Sequence, residues 1–361
     1  MKLENSVAII LRELQSESIK NKELTKEQLD IIYDNKWFNI WVPKLYNGLS
    51  YSLQDGFDLI KNLAYIDGGL AWTITLCSGA NMFAGFIDTE LAENVFYDKN
   101  VCFGGSGRAN GKAVFDGEKF SLTGTWQYAT GAPHLSHFTL NAFVYDADIQ
   151  RIDKMGNPVI YSFFVPREYV LIHYDWNTFG LECTASHSFS LQEIAIDKKY
   201  AFQLDPSQRK VDDVIYRIPF LTFAELTLLP NYLGMYNRFL DLVEKYYFDK
   251  SKDEYWAQKY SKKRFRQLDQ YQQKLENYSN KSANYIRQVS LAAEQINGFD
   301  KEELYKSISL DAKLIVSEIR EAVVTLFPLL GITAAQKENE INIVFRNIFT
   351  ATQHSLLNLV D

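Results

Sequence analysis

The spacing of apolar residues along the chain changes twice, from a helical period to a strand period and back. Near the N-terminus apolar residues recur three or four positions apart, at Val7, Ile10, Leu11 and Leu14. Thr25 and Gln28 have the spacing of a capping box, which predicts the start of a second helix. A third helix is indicated by the apolar positions Phe57, Ile60, Leu63 and Ala64. The first hundred residues are therefore predicted to be helical.

From residue 101 to about residue 205 the apolar residues form short runs that are typical of strands. The runs cover 138–145, 160–165 and 189–196, and Gly, Pro, Asn and Asp separate them. In the last run the alternation shifts between Leu191 and Ile194, which predicts a strand with a break in its register. This middle part is predicted to be a small β-domain, either a barrel or a sandwich.

After Pro219 the helical period returns and continues to the C-terminus. Helical spacing is found at 220–248, 283–296, 302–327 and 336–360. Helices of this length predict an antiparallel four-helix bundle, with the charged stretch 249–280 as a crossing segment or linker. The predicted class is α+β, with a helical domain at 1–100, a β-domain at 101–205 and a helical bundle at 206–361.

Composition excludes several classes of partner. The chain has 361 residues, 47% of them hydrophobic, and a formal net charge of −7. This length predicts more than one core. The negative charge argues against nucleic acid as a partner, since phosphate binding needs a basic face. No run of about 18 uninterrupted apolar residues is present, and the charged N-terminus lacks a signal-peptide core. We therefore expect a cytoplasmic protein without a membrane span.

The spacing of cysteines and histidines gives no sign of a disulfide or a metal site. Cys77, Cys102 and Cys183 are far apart and form no C-x-x-C motif, so we interpret them as small buried apolar side chains. Of the five histidines, only His134 and His137 are close together, and no histidine has the spacing of a zinc-protease motif. We therefore predict that the chain has no metal site.

The stretch from Cys102 to Phe138 has the most specific composition. After a Gly-rich entry, Asp116-Gly117 lies between apolar positions and predicts a hairpin with a two-residue type I′ turn. The second strand continues as G-T-W-Q-Y-A-T-G at 124–131. Trp126 offers flat stacking area and Thr130 offers a hydroxyl group, and a flavin ring needs both. A core tryptophan and a turn threonine are the alternative interpretation.

This stretch resembles the flavin-facing strands of the acyl-CoA dehydrogenase superfamily, whose hairpin reads G-G-Y-x-L-x-G-x-W-x-x-x-S/T-G. The matching residues are Phe120, Leu122, Gly124, Trp126, Thr130 and Gly131. Other motifs occur in the family's order. W-V-P-K-L-Y-N-G-L-S at 41–50 resembles P-x-x-Y-G-G, and A-Y-I-D-G-G-L-A-W-T at 64–73 resembles a-x-x-D-x-s-x-a-w. G-L-E-C-T-A-S at 180–186 resembles G-L-R-G-T-G-S. The resemblance spans the whole chain and implies the acyl-CoA dehydrogenase fold.

Within this superfamily the chain resembles the two-component flavin-dependent monooxygenases. The run I-N-I-V-F-R-N-I-F-T-A-T-Q-H is similar to their W-R-D helix, in which a histidine follows the arginine by eight residues, as His354 follows Arg346. W-Q-Y-A-T-G-A-P-H is similar to their W-x-F-x-S-G-C-x-H, with His134 at the last place. Asn347 replaces the aspartate and Thr130 replaces the serine, although threonine keeps the hydroxyl group.

The resemblance implies a flavin-dependent oxidoreductase that uses reduced flavin and oxygen on a small aromatic or heterocyclic substrate. It implies FMN or FAD as the cofactor, a flavin reductase as a partner, and a dimer of dimers with the last bundle helices in the interface. His354 would act as a base or proton donor near the flavin. The residues implied in cofactor binding are Trp126, Tyr128, Thr130, Gly131, Ser186 and Arg346.

Two other functions fit the same fold. An FAD-dependent acyl-CoA dehydrogenase needs a catalytic carboxylate, but the corresponding loop at 330–335 has no acid. Glu225 is displaced by about one residue from the other place that the family uses, which turns a helical side chain by roughly 100°. The family's pyrophosphate-binding arginine has no clean counterpart, since K-K-R-F-R at 262–266 is out of pattern. A binding or assembly scaffold without flavin is the second alternative.

Overall fold

A computed structural model describes residues 4–294 and 301–359. Helices form the N-terminal part of the molecule. They are α1 (Asn5–Asn21), α2 (Lys26–Asp34), α3 (Leu53–Ile66), α4 (Gly68–Asn81) and α5 (Thr89–Phe96). Most residues of α4 are buried, and its N-cap residue Asp67 accepts hydrogen bonds from the Gly69 and Leu70 N–H groups. Helix α4 is the element against which the site described below is built.

The capping box predicted at Thr25 is present. The Thr25 hydroxyl accepts a hydrogen bond from the Gln28 N–H at 3.1 Å, and the Gln28 side chain accepts one from the Thr25 N–H at 3.0 Å. Two of the N–H groups that the start of a helix leaves unpaired are therefore satisfied. Local sequence alone thus determines where α2 begins.

One mixed sheet follows the N-terminal helices. Its strands are β1 (Phe103–Phe115), β2 (Lys119–Ala129), β3 (His137–Asp146), β4 (Ile149–Gln150), β5 (Ile160–Pro166), β6 (Leu171–Ile172), β7 (His187–Asp197) and β8 (Ala201–Phe202). The order across the sheet is β6-β7-β2-β1-β3-β5-β8, and β4 pairs with β3. Strands β1 and β3 run parallel, and the other pairs are antiparallel. Strand β2 therefore has a hydrogen-bonded neighbour on each side.

The hairpin between β1 and β2 forms where it was predicted, but its turn differs from the prediction. The strands are joined by residues 116–118, and the Asp116 N–H donates to the carbonyl oxygen of Lys119, the first residue of β2. Within this turn only Gly117 has a positive φ, of 108°, whereas a type I′ turn needs two such residues. The reason is the Asp116 carboxylate, which accepts hydrogen bonds from the Glu118 and Lys119 N–H groups and holds a longer loop.

The register break predicted in β7 is confirmed. Leu122 of β2 pairs with Ile194, while Gly124 pairs with Leu191, so β7 contains one residue more than β2 between the two pairs. Glu193 lies in this bulge with a φ of 53°. The change in apolar alternation therefore marks a real change in which side chains face the packed side of the sheet.

The C-terminal helices are α6 (Phe220–Lys250), α7 (Glu254–Trp256), α8 (Lys262–Glu294), α9 (Lys301–Leu326) and α10 (Glu340–Ala351). The prediction of a linker at 249–280 is wrong, because α8 is one continuous helix from Lys262. Its apolar stripe is narrow and is diluted by charged residues on the other faces. The stripe consists of Phe265, Leu268, Tyr271, Leu275 and Tyr278. Among the described residues, no helix is both long enough and apolar enough to cross a membrane.

Trp126 lies inside the packed face of the sheet. Its exposed fraction is 0%, its ring stacks on Phe189 with centroids 5.5 Å apart, and its Nε1–H donates to the Asn141 carbonyl oxygen at 2.9 Å. A ring without exposed surface has no free face for a ligand, so in this structure Trp126 is a packing residue of the sheet. Gly111 makes room for this ring, since a Cβ atom added there would lie 2.2 Å from Trp126 Cζ2.

We predict that Gly111→Ala destabilises the protein, because the new methyl group would push Trp126 out of its packed position. The expected loss in the free energy of unfolding is about 1–3 kcal/mol, the usual cost of overpacking a core. Gly107→Ala in the same strand is the matched control, since a Cβ atom there meets nothing within 4 Å. Denaturant unfolding of both variants tests the prediction. Equal stability of the two variants would contradict this account of how the sheet packs.

Candidate functional site

The end of strand β2 meets the segment that leads into β7. The Gly131 N–H donates to the Thr184 carbonyl oxygen at 2.8 Å, which ties the two segments together. Gly131 has a φ of 75°, and an added Cβ atom would lie 2.6 Å from the His134 ring and 3.3 Å from the Cys77 sulfur. Only glycine combines this conformation with this lack of space.

Three buried hydroxyl groups line this junction in a row. Thr130 Oγ1 lies 2.9 Å from Ser186 Oγ, and Ser186 Oγ lies 2.8 Å from Thr184 Oγ1. The row ends on a backbone group, because Thr184 Oγ1 donates to the Leu181 carbonyl oxygen at 2.9 Å. The structure therefore brings together Thr130, Gly131 and Ser186, all of which the sequence motifs selected, and it adds Thr184.

We infer the direction of the hydroxyl row from the number of protons that its members can donate. Each hydroxyl has one proton to donate, and a carbonyl oxygen has none. Because Thr184 gives its proton to the Leu181 carbonyl, Ser186 must donate to Thr184, and Thr130 must donate to Ser186. This is the one arrangement in which every contact of the row contains a proton. Thr130 therefore offers unoccupied lone pairs, rather than a proton, to any further partner.

A pair of aromatic rings lies beside the row, one of them exposed and the other partly buried. The Tyr128 side chain is 47% exposed, and its ring meets the Trp176 ring edge to face with centroids 5.3 Å apart. Trp176 is held in turn by a hydrogen bond from its Nε1–H to the Leu181 carbonyl oxygen at 3.1 Å. Tyr128, rather than Trp126, therefore provides the flat surface near Thr130.

Arg346 links several segments of the protein. Its guanidinium forms a largely buried ion pair with Glu182 and donates to the Phe179 carbonyl oxygen at 2.7 Å and to Asn342 Oδ1 at 2.9 Å. Glu182 is an acid at the place where the family motif has an arginine, and it gives Arg346 a partner of opposite charge. In this structure Arg346 therefore has a structural role, and its implied role in cofactor binding stays a prediction.

Asn347 adds a second link between α10 and the same segment. Its Oδ1 accepts a hydrogen bond from the Leu181 N–H at 2.8 Å. An aspartate stands at this place in the family motif, and the amide keeps the acceptor that the Leu181 N–H needs. The carbonyl oxygen at the end of the hydroxyl row is therefore fixed by α10.

His354 lies just beyond the last helix. Helix α10 ends at Ala351, so the prediction that His354 is part of the final helix is wrong. A turn in which the His354 N–H donates to the Ala351 carbonyl oxygen redirects the chain. The imidazole then meets Trp72 of α4 edge to face, with ring centroids 5.6 Å apart. Both His354 and the Thr130 segment, through Cys77, therefore pack against α4.

The imidazole of His354 is held in its neutral form. Burial lowers its pKa below the usual value, and the positive charge of Arg108 lowers that pKa further. Arg108 is exposed on β1, and its side chain makes no hydrogen bond or ion pair with any residue in the described part of the chain. A neutral histidine with an unpaired cation nearby can accept a proton and can tolerate an anionic product.

A further cluster was not predicted from the sequence. Cys77, Cys102 and His134 place their two sulfur atoms and one imidazole nitrogen within 4.8 Å of one another. The three residues come from α4, from the residue before β1 and from the turn after Gly131, so their spacing in sequence carries no signal. Thr184 was not predicted either, although the sequence contains a signal for it. Thr184 and Ser186 are two hydroxyl residues at alternate positions just before β7.

Comparison with known proteins supports the family resemblance. No family model matches the chain. The indole-3-acetate monooxygenase of Pseudomonas putida is 22% identical over 224 residues, which cover 62% of this chain and 55% of that protein. The flavin-dependent monooxygenase oxygenase subunit HsaA of Mycobacterium tuberculosis is 22% identical over 179 residues, 49% of this chain and 43% of that protein. The chain thus aligns with about half the length of these curated relatives.

Solved structures share the fold over almost the whole chain. The HsaA monooxygenase of Mycobacterium tuberculosis superposes with a TM-score of 0.89 at 17% identity and covers 98% of this chain and 93% of its own. XiaF from Streptomyces sp., in complex with FADH2 and glycerol, superposes with a TM-score of 0.84 at 20% identity. The match covers 98% of this chain and 90% of the XiaF chain. These similarities confirm that the chain has the acyl-CoA dehydrogenase-type fold and show that its sequence is similar to those of flavin-dependent monooxygenases.

Proposed function

We propose that this chain is the oxygenase component of a flavin-dependent monooxygenase that acts on a small aromatic or heterocyclic substrate. The observation that carries the proposal is the row of three buried hydroxyl groups at the junction, and the direction that we infer for the row leaves the lone pairs of Thr130 free. Two named relatives support it, the indole-3-acetate monooxygenase and the oxygenase subunit HsaA. The structure of TdsC from Paenibacillus sp. A11-2, which contains FMN and indole, shares the fold with a TM-score of 0.77 at 15% identity.

The residues at the junction fit a reduced flavin better than an oxidised one. A reduced flavin carries a hydrogen on its N5 atom and donates there, whereas the N5 atom of an oxidised flavin accepts. Thr130 can accept a hydrogen bond without disturbing the row, but it can donate one only if the row reverses. The bound cofactor, FMN or FAD, would supply the electrons that activate oxygen.

Four of the implied cofactor residues keep that role in this proposal. Thr130 and Ser186 provide the oriented hydroxyl groups, Gly131 allows the backbone to come close, and Tyr128 offers an exposed ring. The exposed ring of Tyr128, which Trp176 supports edge to face, offers a flat face on which an isoalloxazine can stack. The buried Trp126 and the ion-paired Arg346 do not belong to this set.

We assign His354 the role of proton acceptor for the substrate. Its imidazole is neutral near pH 7, because burial and then Arg108 lower its pKa, and a neutral imidazole can take a proton from a substrate hydroxyl or ring N–H. Its Nδ1 atom accepts a long hydrogen bond from the Leu356 N–H at 3.4 Å, which places the proton of the neutral ring on Nε2 and leaves Nδ1 as the atom that takes a further proton. Arg108 would stabilise the anion that remains on the substrate.

The dehydrogenase alternative lacks the carboxylate that it needs. The segment 330–335 forms turns and contains no acid. Glu225 faces the bundle, where its Oε1 accepts a hydrogen bond from the Ser309 hydroxyl of α9 at 2.5 Å. This contact between two bundle helices occupies the carboxylate. A side chain so placed does not serve as a base for a substrate near Thr130.

If the protein prefers reduced flavin, another protein has to supply the reduced flavin. We propose that a separate flavin reductase supplies the cofactor, since an oxygenase that disfavours oxidised flavin cannot easily reduce it in place. The assembly as a dimer of dimers and the cytoplasmic location are further parts of the proposal. Sedimentation of the purified protein measures the first of these directly, and a monomer at micromolar concentration would contradict it.

The absorbance spectrum of purified protein with added FMN or FAD tests the function first. We expect flavin binding without reduction by any acyl-CoA under anaerobic conditions. Bleaching of bound flavin by an acyl-CoA would favour the dehydrogenase instead. If neither FMN nor FAD binds in either redox state, the scaffold alternative is correct.

Substitutions in the hydroxyl row provide a sharper prediction. Thr130→Val should weaken binding of reduced flavin by about 1 kcal/mol, the net value of one hydrogen bond, and should affect oxidised flavin less. Thr184→Val should reduce the preference for reduced flavin, because without Thr184 the Ser186 and Thr130 hydroxyls can exchange donor and acceptor roles. Thr227→Val is the matched control, since its buried hydroxyl bonds the Phe223 carbonyl within α6. Anaerobic fluorescence titration measures all three.

If Thr184→Val leaves the ratio of the affinities for reduced and oxidised flavin unchanged, the hydroxyl row does not determine the preference for reduced flavin.

The pH dependence of turnover tests the assignment of His354. Because the pKa of His354 is lowered, its neutral form predominates above pH 6.5, and turnover should fall only as the pH drops through the lowered pKa. His354→Ala should lower turnover by about 10² or more while flavin binding stays nearly intact. His173→Ala, which removes an exposed histidine bonded to Ser190, is the control.

Arg108→Gln should move the acid limb of the pH profile upward, since the remaining depression of the His354 pKa comes from burial alone. The limb should nevertheless stay below pH 6.5. A limb that does not move in Arg108→Gln, or normal turnover in His354→Ala, would contradict the assigned role.

A further inference from the structure

The cluster of Cys77, Cys102 and His134 lies next to the backbone of Thr130 and Gly131, the segment that we propose contacts the flavin. The Cys77 sulfur is 3.6 Å from the Thr130 carbonyl oxygen, and both cysteines are fully buried. The Nε2 atom of His134 is buried and has no hydrogen-bond partner. An unpartnered nitrogen beside two thiols is costly in a protein interior, unless another group completes the cluster.

The donor set matches a thiophilic divalent ion. Zinc binds cysteine sulfur at about 2.3 Å and histidine nitrogen at about 2.0–2.1 Å, which places ligand atoms roughly 3.5–3.8 Å apart in a tetrahedral site. The three atoms here already lie within 4.8 Å of one another. A contraction of about an ångström, within the reach of side-chain rotation, would bring them to zinc distances.

Charge balance favours zinc over a monovalent ion. Two thiolates and a neutral imidazole carry two negative charges, which a divalent cation neutralises completely. No net charge is then left in the interior, where an uncompensated charge would be expensive. A fourth position can be filled by water from the side of His134, which is only partly buried. Three protein ligands and one exchangeable position form a known type of zinc site.

We propose that Cys77, Cys102 and His134 bind one Zn2+ ion that connects helix α4, the start of strand β1 and the turn after Gly131. This replaces the interpretation of two of the cysteines as plain apolar side chains and the prediction of no metal site. The ion would fix the backbone of Thr130 and Gly131 from behind. The zinc proposal does not depend on the proposed flavin chemistry, because the three ligands lie next to the backbone of Thr130 and Gly131 and are not part of the row of hydroxyl groups.

Zinc binding is coupled to proton release, because the cysteine ligands must be thiolates. The apparent affinity should therefore rise with pH, by about tenfold per pH unit for each proton released.

Metal titration of the reduced, chelator-treated full-length protein tests the proposal. We expect one equivalent of Zn2+ to bind in competition with a chromophoric chelator, more tightly at pH 8 than at pH 6.5. One equivalent of Co2+ should produce a thiolate-to-cobalt charge-transfer band, which reports sulfur ligation in the wild-type protein without any substitution. Bound Zn2+ should also raise the melting temperature.

Variants locate the site. Cys77→Ser and His134→Gln should each weaken Zn2+ binding by more than the roughly 10–100-fold that the loss of an outer-shell partner costs. Cys183→Ser is the matched control, because Cys183 is also a buried free thiol but lies outside the cluster. The control should keep full stoichiometry and the cobalt band.

Three results would overturn the proposal. The first is the absence of stoichiometric Zn2+ binding and of a cobalt–sulfur band in the wild-type protein. The second is equal loss of binding in Cys183→Ser and Cys77→Ser. The third is a disulfide between Cys77 and Cys102 in the protein as isolated under reducing conditions, recognised by two thiols that react with a thiol reagent only after stronger reduction.

Discussion

The Leu181 carbonyl oxygen can accept hydrogen bonds and cannot donate, and the donor order that we infer for the hydroxyl row follows from this asymmetry. It fixes the proton of Thr184, then that of Ser186, and finally that of Thr130. A row of hydroxyl groups in water would rotate freely, but these groups are buried and each has a partner. The result is a surface that accepts hydrogen bonds, next to the exposed ring of Tyr128. We propose that such a surface distinguishes reduced from oxidised flavin, because only reduced flavin has a hydrogen atom on N5.

The inferred direction of the hydroxyl row depends on the position of the Leu181 carbonyl. Two parts of the structure hold the segment that contains Leu181 and Thr184. Helix α10 holds the segment through the ion pair of Arg346 with Glu182 and through the hydrogen bond from the Leu181 N–H to Asn347. Breaking a buried ion pair by removing one partner costs about 3–5 kcal/mol. Strand β2 holds the other side, because the Gly131 N–H bonds the Thr184 carbonyl. The bundle and the sheet therefore share one connecting segment.

Much of the fold could be predicted because its signals are local. The capping box at Thr25 and the bulge in β7 each involve residues close together in sequence, and both are confirmed. The failures have long-range causes. Residue type did not reveal that Trp126 faces the interior of the sheet, since both faces of a strand accept an aromatic ring. Arg346 was assigned to the cofactor because its true partner, Glu182, lies 164 residues away. The cysteine–histidine cluster likewise exists only in the folded chain.

The most direct test of this account is the affinity of the wild-type protein for one flavin in its two redox states. Anaerobic equilibrium titration with FMN, oxidised and chemically reduced, measures both dissociation constants under the same conditions. If Thr130 acts as an acceptor, reduced FMN should bind more tightly by at least about 1 kcal/mol, or about fivefold. Equal affinities, or tighter binding of oxidised FMN, would contradict the proposed direction of the hydroxyl row.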